Sequence, residues 1–97
     1  MNQKWINSLN SLPLSKKEYE AVNLFFQKGR GGYLLPVVDI LNNYELKEEG
    51  LSLLKWGVSK HQGFHAKVRL ADSLYWKGEI LEAKKILNSL ENFKQNL

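Results

Sequence analysis

Shifted by 33 residues, the chain falls on itself. Val37 meets Leu70, Val38 meets Ala71 and Leu41 meets Leu74. Glu49 meets Glu82, Gly50 meets Ala83, Leu53 meets Ile86, Leu54 meets Leu87 and Gly57 meets Leu90. Size and polarity agree through two segments, which a shared amphipathic pattern alone does not require. A period in the low thirties built from two helices predicts stacked hairpins, each too small to bury its own apolar face.

The segments read as helices throughout. Trp5, Ile6, Leu9 and Leu12 recur every three or four residues and predict a short helix over residues 2–12. Its asparagines and serines make it a weak helix former, and Pro13 ends it. Ser15 and Glu18 form a capping box that opens a helix to about Lys28. Gly29 stops it, and Arg30-Gly31-Gly32 reads as a hinge. Further helices are expected over Tyr33–Tyr44, Lys47–His61, Phe64–Lys77 and Glu79–Phe93, with turns at Asn42–Glu45, Gln62-Gly63 and Gly78. Pro36 falls in a first turn, where its missing N–H costs least. No segment alternates as a strand does. The chain is expected to be all-α.

Within this frame the best-defined stretch is Phe64-His65-Ala66-Lys67-Val68-Arg69-Leu70-Ala71-Asp72-Ser73-Leu74-Tyr75-Trp76-Lys77-Gly78-Glu79-Ile80-Leu81-Glu82-Ala83. A large residue precedes a small one, Leu70 before Ala71. Leu74 follows three later, Gly78 turns the chain, and Ile80 and Ala83 repeat the large–small pair. This resembles the tetratricopeptide repeat family, over about residues 33–93. Ala71 and Ala83 are small where two helices cross, and larger residues fill the grooves beside them. The first unit departs further from the pattern. Gly50 takes the small crossing position, Glu45 stands near the turning glycine, and Gln62 stands where a proline usually separates units. The offset is one residue short of the usual unit of about 34. Lys67 replaces a large apolar residue. The resemblance implies a helical-repeat superhelix of two helix pairs with an N-terminal flanking helix. The expected organisation is a single domain over 1–97, with flanking helices in 1–32, one unit in 33–62 and a second in 63–97.

Composition limits what such a domain can do. The 97 residues are 43% hydrophobic and 25% charged, an ordinary balance for a folded domain. There is no cysteine, which excludes disulfide scaffolds, thiolate zinc sites and cysteine nucleophiles within this chain. No apolar run approaches the roughly 20 residues of a membrane span, and no secretory signal is readable. A cytoplasmic setting is expected. The net charge of +4 is uneven. From Gly50 to Ala71 there is no acid, while Lys55, Lys60, Lys67 and Arg69 are present with His61 and His65 between them. This basic patch, over 55–69, is the one feature that favours nucleic acid. The Phe64–Lys77 helix carries too many core-type residues to read a groove, so nucleic acid is the secondary reading.

Catalysis finds little support. His61 and His65 straddle a turn and have no carboxylate in a metal-ligand motif. The acids Glu48, Glu49, Glu79 and Glu82 sit in first helical turns, where they suit the helix dipole. Arg30-Gly31-Gly32 lacks the spacing and lysine of a phosphate loop. No cofactor and no metal are expected. The resemblance implies instead a protein-binding groove lined by the first helix of each pair. That face offers Leu34, Val38 and Leu41 from the first unit, and His65, Val68, Arg69, Asp72, Tyr75 and Trp76 from the second. Its mixture suits an amphipathic helix or an apolar peptide of another protein.

Two apolar surpluses remain. The helix over Tyr33–Tyr44 has almost no polar face, so it must be covered on more than one side. The cover is expected from Trp5, Ile6, Leu9, Phe25 and Phe26 folding back across the groove, or from a bound partner. At the other end, Ile80, Leu81, Leu87 and Phe93 cannot all face inward. The C-terminal helix is therefore expected to touch a second copy or another protein.

Overall fold

The computed structural model describes residues 4–28, 33–61 and 63–95, apart from the side chains of His61 and of residues 91–95. The Arg30-Gly31-Gly32 hinge and the Phe93 side chain lie outside that description. The described residues form six α-helices and no strand: α1 Lys4–Ser11, α2 Lys16–Lys28, α3 Leu34–Asn43, α4 Lys47–His61, α5 Phe64–Lys77 and α6 Ile80–Gln95. None is long and apolar enough to cross a membrane.

The 33-residue period recurs in the backbone. Shifted by 33, α3 falls inside α5, and α4 coincides with α6 to within one residue at its end. The turns agree hydrogen bond for hydrogen bond. Leu46 N–H donates to Leu41 O at 2.9 Å, and Glu79 N–H donates to Leu74 O at 2.9 Å. Glu45 N–H donates to Asn42 O at 3.1 Å, and Gly78 N–H to Tyr75 O at 3.0 Å. These paired bonds close a helix C-terminus through a left-handed residue. Gly78 takes that conformation at φ 95°, and Glu45 takes it at φ 64°. The first hairpin therefore holds a side chain where the backbone favours glycine.

α3 is the centre of the packing. Leu34, Val37, Val38, Ile40 and Leu41 are all buried. α4 returns antiparallel along α3, α2 packs on another side of it, and α5 packs on α4 and pairs with α6. Gly57 of α4 lets Leu34 approach closely, because a Cβ there would overlap the Leu34 side chain. In the second hairpin Lys67 replaces Leu34 and Leu90 replaces Gly57. The buried apolar side chain of this pair thus comes from the first helix in one unit and from the second helix in the other, while Lys67 is only half-buried.

The N-terminal helices attach through aromatic rings. Trp5 meets Phe25 edge-on at 6.0 Å, stacks on Phe26 at 6.4 Å and tilts against Trp56 at 5.5 Å. α1 consequently rests on α4. It does not cross a groove between α3 and α5, and the cover over α3 comes mainly from α2 and α4. Trp5 Nε1 is buried with no hydrogen-bond partner among the described residues. Ring contact and apolar burial therefore hold α1, since that indole N–H contributes no bond.

The capping box is present. Ser15 Oγ accepts from Glu18 N–H at 3.2 Å, and Glu18 Oε1 accepts from Ser15 N–H at 2.9 Å. Tyr44 adds a long-range clasp. Its hydroxyl points its proton between Glu18 Oε1 at 2.9 Å and Pro13 O at 3.1 Å. The α1–α2 linker is thereby tied to the α3–α4 turn. The Ser15 backbone N–H, then the Tyr44 hydroxyl, hold the Glu18 carboxyl below its ordinary 4.5. The same Glu18 bond raises the Tyr44 phenol.

Three predictions rest on these contacts. Gly57→Ala should lower stability by about 1–3 kcal/mol, because Leu34 is enclosed and cannot yield. Glu45→Gly should leave stability unchanged or raise it, since it removes a left-handed side chain. Denaturant melts check both, and a neutral Gly57→Ala or a clearly harmful Glu45→Gly contradicts the packing and turn described. The third prediction concerns acid. A depressed carboxyl stabilises the fold above its unfolded pKa, and that contribution is lost as pH falls through the folded value. Wild type should therefore exceed Glu18→Gln in urea midpoint near pH 7, and the gap should close in acid, below the ordinary 4.5 of the carboxyl. A gap independent of pH contradicts the clasp.

Candidate functional site

The packing leaves a cleft of about 520 Å³ between the C-terminal halves of α3 and α5 and the first turns of α4. Its apolar floor comes from Val38, Leu51 and Leu54, and its rim carries Arg69, Asp72 and Trp76. Trp76 is the most prominent feature, with 79% of its surface exposed. An indole left so open on a folded surface adds no burial to the core. Large exposed aromatic side chains are common anchors in protein interfaces.

Gly50 explains why space exists there. It is buried in the first half of α4 and lines the cleft. A Cβ at this position would come within 2.6 Å of Asn42 Oδ1. Glycine therefore lets α3 and α4 sit close together. α5 forms the opposite wall, leaving the opening.

Three sets of ion pairs lace the helices around the cleft. Arg69 of α5 donates to Asp39 of α3. Lys77 Nζ lies 3.3 Å from Glu48 Oε2, joining the end of α5 to the start of α4. Lys55 of α4 stands 4.0 Å from both Glu79 and Glu82 at the start of α6. All are solvent-accessible, so each contributes about 0–1 kcal/mol. Their main effect is on charge. They neutralise part of the wall and leave Asp72 and Lys47 without an ion pair among the described residues.

The structure divides the expected groove residues. Val38, Arg69, Asp72 and Trp76 come together at the cleft. Leu34 and Leu41 do not: both are fully enclosed, so they are core residues with no surface to offer a partner. His65 is exposed near the start of α5, beside the Phe64 ring at 5.7 Å, and lies outside the cleft lining. Val68 and Tyr75 are exposed on a different side of α5. The α4 floor, Gly50, Leu51 and Leu54, was not expected from the sequence. The available signal was Gly50 itself, a glycine within a helix and therefore a place where another group can approach.

The basic patch does not form a free cationic cluster. Lys55 and Arg69 are committed to acids on neighbouring helices, while Lys60 and Lys67 make no ion pair among the described residues. The sequence interval without acids is thus supplied with acids by α3 and α6. Among the described residues no three ligating side chains gather as a metal site would require. Comparison with family models, with curated proteins and with solved structures finds no match to this chain.

Proposed function

We propose that this chain is a non-catalytic protein-interaction module of tetratricopeptide-like helical repeats, working in the cytoplasm, whose cleft takes the apolar side chains of a helical or extended peptide segment from another protein. The observation that carries this reading is the cleft itself: an apolar floor of Val38, Leu51 and Leu54 beside an exposed Trp76. The half-buried Leu51 and the exposed Trp76 indole supply apolar contact area of the kind that dominates peptide affinity, with Val38 and Leu54 almost fully buried beneath them. Arg69, Asp72 and Lys47 at its edge would orient the bound segment through charge and hydrogen bonds. The repeat at 33 residues and the large–small pairs at Leu70-Ala71 and Ile80…Ala83 support the family likeness.

A nucleic-acid role has less support. Phosphate binding needs several free cations held together, and two of the four cations in the basic interval are already paired.

Selection of displayed peptides against the whole chain tests the proposal. Selected ligands should carry apolar residues at helical or alternating spacing. Trp76→Ala and Leu51→Lys should each weaken them roughly tenfold or more. Trp76→Ala should leave the melt within about 0.5 kcal/mol of wild type, because its indole is exposed. Ligands indifferent to both substitutions would overturn the cleft as the binding site. A salt-sensitive gel shift with random DNA or RNA would favour the other reading.

A further inference from the structure

The first hairpin shows what a hairpin face of this kind holds. α5 packs on α4, faces Val38, Asn42, Lys47 and Leu54 across the cleft, and sets Arg69 against Asp39. Shifted by 33 residues, those positions become Ala71, Tyr75, Ile80, Leu87 and Asp72 on the second hairpin. The structure describes no further helix over that face. Val68, Tyr75, Ile80 and Leu87 are exposed large apolar residues there, with Tyr75 at 57% and Leu87 at 48%.

Their spacing places them on one surface. Val68 and Tyr75 are seven apart on α5, and Ile80 and Leu87 are seven apart on α6. Seven residues is two helical turns, so each pair lies along one side of its helix. Ala71 and Ala83, both buried, form the seam where the helices meet. Tyr75 and Ile80 flank the Gly78 turn, so the two pairs continue into each other.

The direction of the exchange is informative. The first hairpin, with α5 beside it, carries half-buried Asn42 and exposed Lys47 at the open cleft. The second has exposed Tyr75 and Ile80 in their place, with no further helix beside them among the described residues. Solvent exposure alone favours polar residues at such positions. The charge at the edge is retained: Asp39 of the first hairpin corresponds to Asp72 of the second. Asp39 holds Arg69, whereas Asp72 has no ion pair among the described residues.

We infer that the α5–α6 face is a second docking surface, and that its occupant is one amphipathic helix of a partner protein. That helix lays an apolar stripe along Val68, Tyr75, Ile80 and Leu87 and sets an arginine against Asp72, as α5 sets Arg69 against Asp39. Charge complementarity selects the occupant. A second copy brings the same acid-edged face, and its Arg69 is already engaged by Asp39. The face shares Asp72 with the cleft rim and otherwise lies on a different side of α5, and the inference stands without the cleft proposal.

The probe is a capped, fluorescein-labelled peptide with the sequence of residues 63–79, added to the whole chain. Anisotropy should show saturable binding, weakened roughly tenfold or more by Leu87→Glu and by Asp72→Arg. Asp72→Arg should regain the peptide when the peptide carries Arg69→Glu. Circular dichroism melts confirm that both protein variants fold; a variant that does not fold is replaced by Ile80→Lys, on the same exposed stripe. Amide shifts should centre on Tyr75, Ile80 and Leu87. Absence of saturable binding, or binding indifferent to Leu87→Glu and to the charge exchange, overturns the inference. So does a chain dimer in sedimentation that Leu87→Glu dissolves, which would assign the face to a second copy. Shifts centred on Asn42 and Leu51 would place the peptide in the cleft, overturning this inference while leaving the cleft proposal intact.

Discussion

A helix sealed on most of its circumference governs this structure. α3 buries Leu34, Val37, Val38, Ile40 and Leu41 and exposes only a narrow strip of Pro36, Asp39 and Asn43. So wide an apolar surface requires neighbours on more than one side. Each enclosed aliphatic side chain contributes about 1.5–3 kcal/mol relative to exposure. The exposed ion pairs contribute about 0–1 kcal/mol each. Burial around α3 therefore determines the arrangement, and the pairs at Asp39–Arg69 and Glu48–Lys77 adjust the register of helices already brought together.

From that centre the repeated hairpin acquires two different surroundings. The first is flanked by α1, α2 and α5, and the second packs on α4. The same backbone turn serves both, through Glu45 in one and Gly78 in the other. Their interiors differ at one corresponding pair, Leu34 against Gly57 in the first and Lys67 with Leu90 in the second, so the buried apolar side chain comes from the first helix of one hairpin and the second helix of the other. The cleft arises where small Gly50 lets α3 and α4 close up while α5 stands apart.

Much of this was legible in one dimension. The Ser15–Glu18 capping box, the helix over Lys47–His61, the helix over Phe64–Lys77 and the turn at Gly78 depend on residues close in sequence, and they appear where local chemistry places them. The need to cover α3 on more than one side was legible too, because its apolar residues span most of the helix; the structure leaves Pro36, Asp39 and Asn43 as its solvent strip. What covers it was not. Helical spacing shows that Leu34 and Leu41 are apolar, but only the crossing of α2 and α4 decides that they are sealed. Trp5 has no sequence-local reason to choose Trp56 of α4 over the face of α3, and ring packing across some fifty residues makes that choice. The basic interval was misleading for the same reason, since Arg69 finds its acid 30 residues away on α3.

Native-state hydrogen exchange, read amide by amide by NMR, tests this centre most directly. The backbone amides of α3 from Val37 to Leu41 should exchange only through global unfolding, with those of α4 beside Leu53 and Leu54. Those of α1, a short helix held by Trp5 and Leu9, should exchange through local opening at much lower free energy. That order is the expected result. Exchange of the α3 amides as fast as those of α1 would contradict an enclosed α3 and the account built on it.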